Sequence, residues 1–161
     1  MSGVALAEVA NLKLDAVEDY ICGLDTVLDP SVNQPGLTVE HVVTPGLYRR
    51  TLRAKRDILA TTYIHRHTHQ YVLTAGKVAV SLGNGETVEV EAPCYGITLA
   101  GTRRAGLVLE DVEWTTYHPI PEGMTEIDEI EAYVFEIRER PDGTNAKQLL
   151  REALAKKELA P

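Results

Sequence analysis

Between Ala5 and Ile21 the apolar residues Leu6, Val9, Ala10, Leu12, Leu14, Val17 and Ile21 recur at three- and four-residue steps, with acids and one lysine between them. That spacing predicts an amphipathic helix. The next stretch, GLDTVLDPSVNQPG, is rich in Gly, Pro, Asp and Asn and predicts a loop. From Leu37 to Pro119 the period becomes two, in short runs of Val, Ile, Thr and Tyr broken by TPG, GNGE, EAPCYG and LAG. Consecutive antiparallel strands produce this pattern, and no helical stretch of useful length interrupts it.

Two hairpins can be registered by requiring one apolar face on both arms. In the first, Val78, Val80 and Leu82 match Val88, Val90 and Ala92 around an Asn84–Gly85–Glu86 loop. In the second, Ala105, Leu107 and Leu109 match Val112, Trp114 and Thr116 around a Glu110–Asp111 turn. Both registers predict a barrel or sandwich. The segment Glu126–Arg138 has helical spacing in EIDEIEAY and extended character in AYVFEIR, so it is open between helix and strand. The tail NAKQLLREALAKKELAP has strong helix formers after an Asn145 cap and predicts a C-terminal helix, with partial disorder as the alternative.

A chain of 161 residues fits one domain whose core needs no disulfides. Its expected parts are an N-terminal helix and linker over 1–36, a β-barrel over 37–120 and a C-terminal extension over 121–161. Cys22 and Cys94 match no metal-ribbon or C-x-x-C spacing, which favours reduced thiols and leaves a bridge between them open. A formal net charge of −8 and basic residues that form no stripe argue against a nucleic-acid partner. The N-terminus lacks a signal-peptide pattern and no apolar run is long enough to span a bilayer, so the expectation is a soluble cytoplasmic protein without a membrane partner.

Candidate chemistry gathers in YIHRHTHQYVLTAGKV, where His65, His67 and His69 alternate. On a strand that stays extended all three rings share a face, whereas a bend within RHT brings His65 and His69 together from the ends of two adjoining strands. Neutral imidazoles are metal ligands when three or four converge on a stiff scaffold. The glycines of LGNGET suit a hairpin loop better than a phosphate cradle, because no helix follows. Trp114 sits in an apolar register and reads as core, and Cys94 has no paired base that would make it a nucleophile.

The stretch from His65 to Gly76 resembles the first motif of the cupin superfamily, in which two histidines separated by one residue precede a glutamate and then a glycine. His65 stands at the second histidine position, His69 at the glutamate and Tyr63 at the first histidine. LAGTRRAG resembles the second motif, with Leu99 for its proline and Arg104 for its histidine. The resemblance covers about residues 38–120 and implies a small jelly-roll barrel. More narrowly, the combination with LVLEDVEWTTYHP looks like small cupin-like proteins of unassigned function from tailed bacteriophages, which points to His118 as a third ligand.

The resemblance implies a divalent metal ion at His65, His69 and His118, with His67 left in the turn between strands. Register and motif disagree about the arginine: the Glu110–Asp111 turn places Arg103 opposite His118, while motif counting selects Arg104. Either guanidinium would weaken a bound dication and anchor a carboxylate or phosphate. The leading expectation is therefore a small cupin-like accessory protein of phage type that binds a small anionic ligand, a divalent metal, or both in its barrel, with Arg103, Arg104, Tyr63 and Tyr71 as ligand-binding residues. A metal-dependent isomerase, dioxygenase or lyase, with Tyr63 or Tyr71 assisting proton transfer, is the enzymatic alternative. A module contacting phage virion proteins is the third. Cupin barrels commonly pair, so a homo-oligomer is expected.

Overall fold

The computed structural model describes residues 3–159. Residues 1–2 and the last two residues of the predicted tail, 160–161, lie outside the described residues. Helix α1 (Gly3–Cys22) leads into strands β1 (Leu37–Thr44), β2 (Leu47–Ala54), β3 (Leu59–Thr61), β4 (Ile64–His65), β5 (His69–Ser81), β6 (Thr87–Glu91), β7 (Cys94–Thr98) and β8 (Ala105–Pro119). Helix α2 (Ile127–Val134), strand β9 (Phe135–Glu136) and helix α3 (Ala146–Glu158) complete the chain. The open segment Glu126–Arg138 is thus helix and strand in turn. Asn145 caps α3 as predicted, accepting a hydrogen bond from the backbone N–H of Gln148.

All strand pairings are antiparallel, in the order β1-β2-β8-β5-β6, with β3 on β8 and β7 on β5. The two long strands serve both halves of the sheet: β8 pairs β2 through 112–119 and β3 through 105–107, while β5 pairs β7 and then β6. The mainly-β class with flanking helices is the one the sequence predicts, and shared long strands are consistent with a jelly roll. The ladder itself is open: among the described residues no pairing joins β1 to β6.

The core lies on the inward face. Cross-strand registers bring Leu37, Ala54 and Val112 into one row and Val39, Leu52, Trp114, Leu73 and Cys94 into the next. Leu73 is fully buried, which contributes about 1.5–3 kcal/mol. Cys22 and Cys94 are both free thiols.

The Glu110–Asp111 turn does not exist. Strand β8 runs unbroken through it, both acids face solvent, and Asp111 accepts from Lys55 Nζ at 2.6 Å and from the Arg56 backbone N–H at 2.9 Å. Neither acid offers the positive φ that a tight hairpin needs. The irregularity falls instead on β5, where the pairing shifts between Leu73 and Val78. Gly76 at its centre has φ +81, and a Cβ there would stand 2.1 Å from the Asp111 carbonyl oxygen. This bulge changes which residues face inward, from Tyr71 and Leu73 before it to Val78 and Val80 after it. In the first hairpin the apolar faces are those predicted, but Val78 pairs Val90 and Val80 pairs Val88, two residues from the expected register. A two-residue slip preserves the face.

Helix α1 docks by charge more than by its apolar stripe. Leu6, Val9 and Leu12, expected to face the core, are exposed, whereas Leu14, Asp15 and Glu18 are buried. Arg103 binds Asp15 at 2.8 Å and Glu18 at 2.7 Å, Arg138 binds Asp15 at 2.6 Å, and Arg140 binds Glu18 at 2.8 Å and Asp19 at 2.6 Å. Removing one partner of such a buried network typically costs about 3–5 kcal/mol, because it leaves a charge without compensation.

Gly76→Ala is expected to lower the free energy of urea unfolding by about 3 kcal/mol or more, combining steric conflict with the roughly 1–2 kcal/mol of a left-handed non-glycine residue. Gly101→Ala, with φ +82 and nothing within 4 Å of its Cβ, supplies the comparison and should lose only the backbone part. Equal losses would contradict the close approach at Asp111.

Candidate functional site

Above the two apolar rows the inward face turns polar. The third row runs His41, Arg50, Thr116, Tyr71 and Gly96 across β1, β2, β8, β5 and β7. The fourth places Val43 beside Tyr48, Tyr48 beside His118, and His69 beside Thr98. Gly96 matters here because a Cβ would lie 2.7 Å from the Tyr71 hydroxyl. Its absence lets that ring lie flat against Trp114, with centroids 4.6 Å apart.

The chain bends after His65, so β4 and β5 deliver His65 and His69 from different strands, and β8 delivers His118. Ring centroids are 4.7 Å apart for His65–His69, 4.1 Å for His69–His118 and 6.4 Å for His65–His118. All three are buried. His67 stands outside the cluster and stacks on Tyr133 at 4.5 Å. Its carbonyl nevertheless accepts from His69 Nδ1 at 3.2 Å, and Thr102 O accepts from His65 Nδ1 at 2.9 Å. Both rings thereby carry their lone pair on Nε2. His69 Nε2 is buried without a hydrogen-bond partner. The Thr116 hydroxyl donates to Arg50 O at 3.4 Å and accepts from His118 Nε2 at 2.9 Å, leaving the lone pair of His118 on Nδ1.

Burial is the first cause that holds these rings neutral. His65 is pushed down to about 4, with His69, Arg104 and Arg50 adding to burial and the Thr102 carbonyl opposing it. His118 is pushed down to about 3 by burial, then by His69, His65 and Arg50. His69 moves the same way through burial and Arg104. Phe135 closes one side of the cluster, its ring centroid 5.4 Å from that of His65 and 5.7 Å from that of His118, and β9 is tied down by pairing with β4.

The two adjacent arginines part company. Arg103 is buried against Asp15 and Glu18 of α1 and does not enter the histidine cluster; the turn that would have aimed it there is absent. Arg104 lies on the inward side, donating to Thr98 Oγ1 at 2.5 Å, with its guanidinium carbon 5.8 Å from the Trp114 ring centre. Among the described residues no carboxylate pairs with it. Tyr63 packs edge-on against Phe135, with ring centroids 6.3 Å apart. Burial pushes the Tyr63 and Tyr71 phenols up.

Sequence reasoning missed Arg50, which shares the inward face with Tyr48 and Leu52 and has a buried Nε without a partner. The signal was present in LYRRTLRA, where strict alternation from Tyr48 points one arginine inward. It also missed Phe135 and Tyr48, whose packing depends on α2.

Neutral imidazoles with Nδ1 fixed by carbonyls are suited to a divalent metal. Their arrangement fits one less well: among the described residues no three His, Cys, Asp or Glu side chains are grouped so as to hold a metal ion. Among the described residues no carboxylate joins the cluster, and guanidinium groups act on it.

Fold and site together describe an antiparallel β protein with a polar interior. Similar solved structures include proteins described as cupins. A cupin-2 domain protein from Shewanella frigidimarina matches with 8% identity over 56% of this chain and 86% of that one, at a TM-score of 0.45. KdgF from Halomonas sp. matches with 19% identity over 61% and 94%, at 0.47. A Bacillus subtilis oxalate decarboxylase variant matches with 13% identity over 60% of this chain and 28% of that one, at 0.49. None of these likenesses transfers a ligand or a reaction. No protein-family model and no curated protein matches the sequence. No helix among the described residues is long and apolar enough to cross a membrane.

The histidines make stability depend on pH. Their folded values lie below the unfolded value of about 6.5, so between the two the unfolded chain binds more protons. Their contribution is whole above about pH 6.5 and drains as pH falls toward 4 for His65 and 3 for His118. Near pH 5 each ring that stays neutral costs about 2 kcal/mol, less than additively because the rings interact. Urea midpoints measured from about pH 7.5 to 5 should fall, and fall less in His65→Gln/His118→Gln. Identical pH dependence in both proteins would contradict the burial of neutral rings.

Proposed function

We propose that this chain binds a small anionic molecule on the inward face of its sheet, with Arg104 as the charged anchor and the His65–His69–His118 cluster beside it. The observation that carries this reading is the half-buried Arg104 guanidinium, oriented by Thr98 and Trp114 and lacking a carboxylate partner among the described residues. A carboxylate or phosphate supplies the bidentate partner that such a group lacks. Arg50 adds a second positive charge on the same face. The histidines, held neutral, add no charge of their own to this face, their N–H groups being engaged by Thr102 O, His67 O and Thr116 Oγ1.

A second reading, a divalent metal on His65, His69 and His118, is favoured by the unpartnered His69 Nε2. These three histidines would hold such an ion, which would supply the Lewis acid of a metal-dependent isomerase, dioxygenase or lyase. The two guanidinium groups oppose it, which ranks it second.

Thermal unfolding with small carboxylates, before and after treatment with a chelator, separates the two. Under the first reading acetate, gluconate or 3-phenylpropanoate raises the midpoint equally in both samples, by the equivalent of about 2.7 kcal/mol at a hundredfold excess over Kd, and Arg104→Gln abolishes the rise. Under the second, elemental analysis finds one metal equivalent, lost in His65→Ala and His69→Ala, and the stripped protein does not respond. No response together with no metal contradicts both.

A further inference from the structure

The inward face has a second compartment beside the histidines. A cavity of about 210 Å³ opens between the β5–β6 hairpin and β8. Its apolar walls are Val80, Val88, Val90 and Leu82, together with the stacked rings of Tyr71 and Trp114. Among the described residues Arg104 is its one cation, and Asn84 and Glu86 line it from the hairpin loop. We propose that this compartment receives the apolar body of a short monocarboxylic acid whose carboxylate Arg104 holds. The inference rests on Arg104 as the anion anchor and names the class of the ligand.

Three features select that class. Arg104 has five N–H donors, and among the described residues its side chain uses one hydrogen bond, to Thr98 Oγ1. That bond and the Trp114 face hold the guanidinium plane in place before a ligand arrives. Val88 and Leu82, which line the cavity, are 61% and 46% exposed, and the part of that apolar area a hydrocarbon body covers contributes about 25 cal/mol per Å². A polyhydroxylated acid would place most of its hydroxyls against valine and leucine, where they lose water without gaining partners. Glu86 on the same cavity repels a second carboxylate, which favours a monoacid over a diacid. The volume lies below the roughly 300–1,000 Å³ of drug-sized sites, so the body is small.

The test is calorimetric titration of the full chain with 3-phenylpropanoate, 3-phenylpropan-1-ol and gluconate, repeated on Arg104→Gln and Val88→Asp. Val88 is exposed, so its substitution leaves the core intact and keeps the test informative should Arg104→Gln fold poorly. The expected result is 3-phenylpropanoate binding at least about tenfold more tightly than either other compound, with each substitution weakening it at least about tenfold. Gluconate binding as tightly, with the same dependence on Arg104, overturns the ligand class and leaves the anion anchor standing. Loss in Arg104→Gln with no change in Val88→Asp overturns the placement of the body. No binding of any carboxylate overturns both the class and the anchor.

Discussion

Strands β5 and β8 pair along almost their whole lengths, and the ladder shifts at Gly76 so that different residues of β5 face inward on either side of it. Before the bulge β5 turns His69, Tyr71 and Leu73 inward, against Trp114, Thr116 and His118 of β8. After it, β5 turns Val78 and Val80 inward, opposite Val108 and Gly106. A straight ladder could not do both, because a one-residue slip sends every later side chain to the other face. The polar rows and the valine-lined cavity are therefore two products of one backbone irregularity.

Charge is partitioned with the same economy of means. Arg103 and Arg104 are neighbours, and chain alternation sends them to opposite sides. Arg103 meets the buried carboxylates of Asp15 and Glu18 and joins α1 to the loop whose Thr102 carbonyl orients His65. Arg104 meets Thr98 and an aromatic face instead. The first arginine is paired with carboxylates within the fold, and the second has no carboxylate partner among the described residues. The guanidinium groups near the histidine cluster add to burial in holding its rings neutral.

Much of this was legible in the residues, for physical reasons. Period-two alternation marked the strands, and the spacing from His65 to Gly76 marked the bend that separates β4 from β5. His118 was identifiable beside the other two through the resemblance of its strand end. The Glu110–Asp111 turn was an error of a particular kind: apolar alternation on both sides of two acids suits a hairpin as well as a continuous strand, and only the partner strand decides. That error carried with it the placement of Arg103 opposite His118. The contact face of α1 was hidden because a carboxylate on a helix looks solvated until three arginines from distant segments meet it. Arg50 was visible as an inward charge by alternation, but its significance depends on what lies opposite.

Trp114 is the single tryptophan of the chain and stands between the polar rows and the apolar cavity, stacked on Tyr71 and faced by Arg104. Its indole N–H and the Arg104 Nε–H report directly on whether a ligand enters the inward face. A ¹H–¹⁵N correlation spectrum recorded while a small carboxylate is added is the most direct measurement. The account predicts that these two signals move together and saturate, while the amides of Gln70, Ile97 and Tyr117 on the outer face stay still. Shifts confined to the outer face, or a titration that leaves Trp114 and Arg104 unmoved, would contradict it.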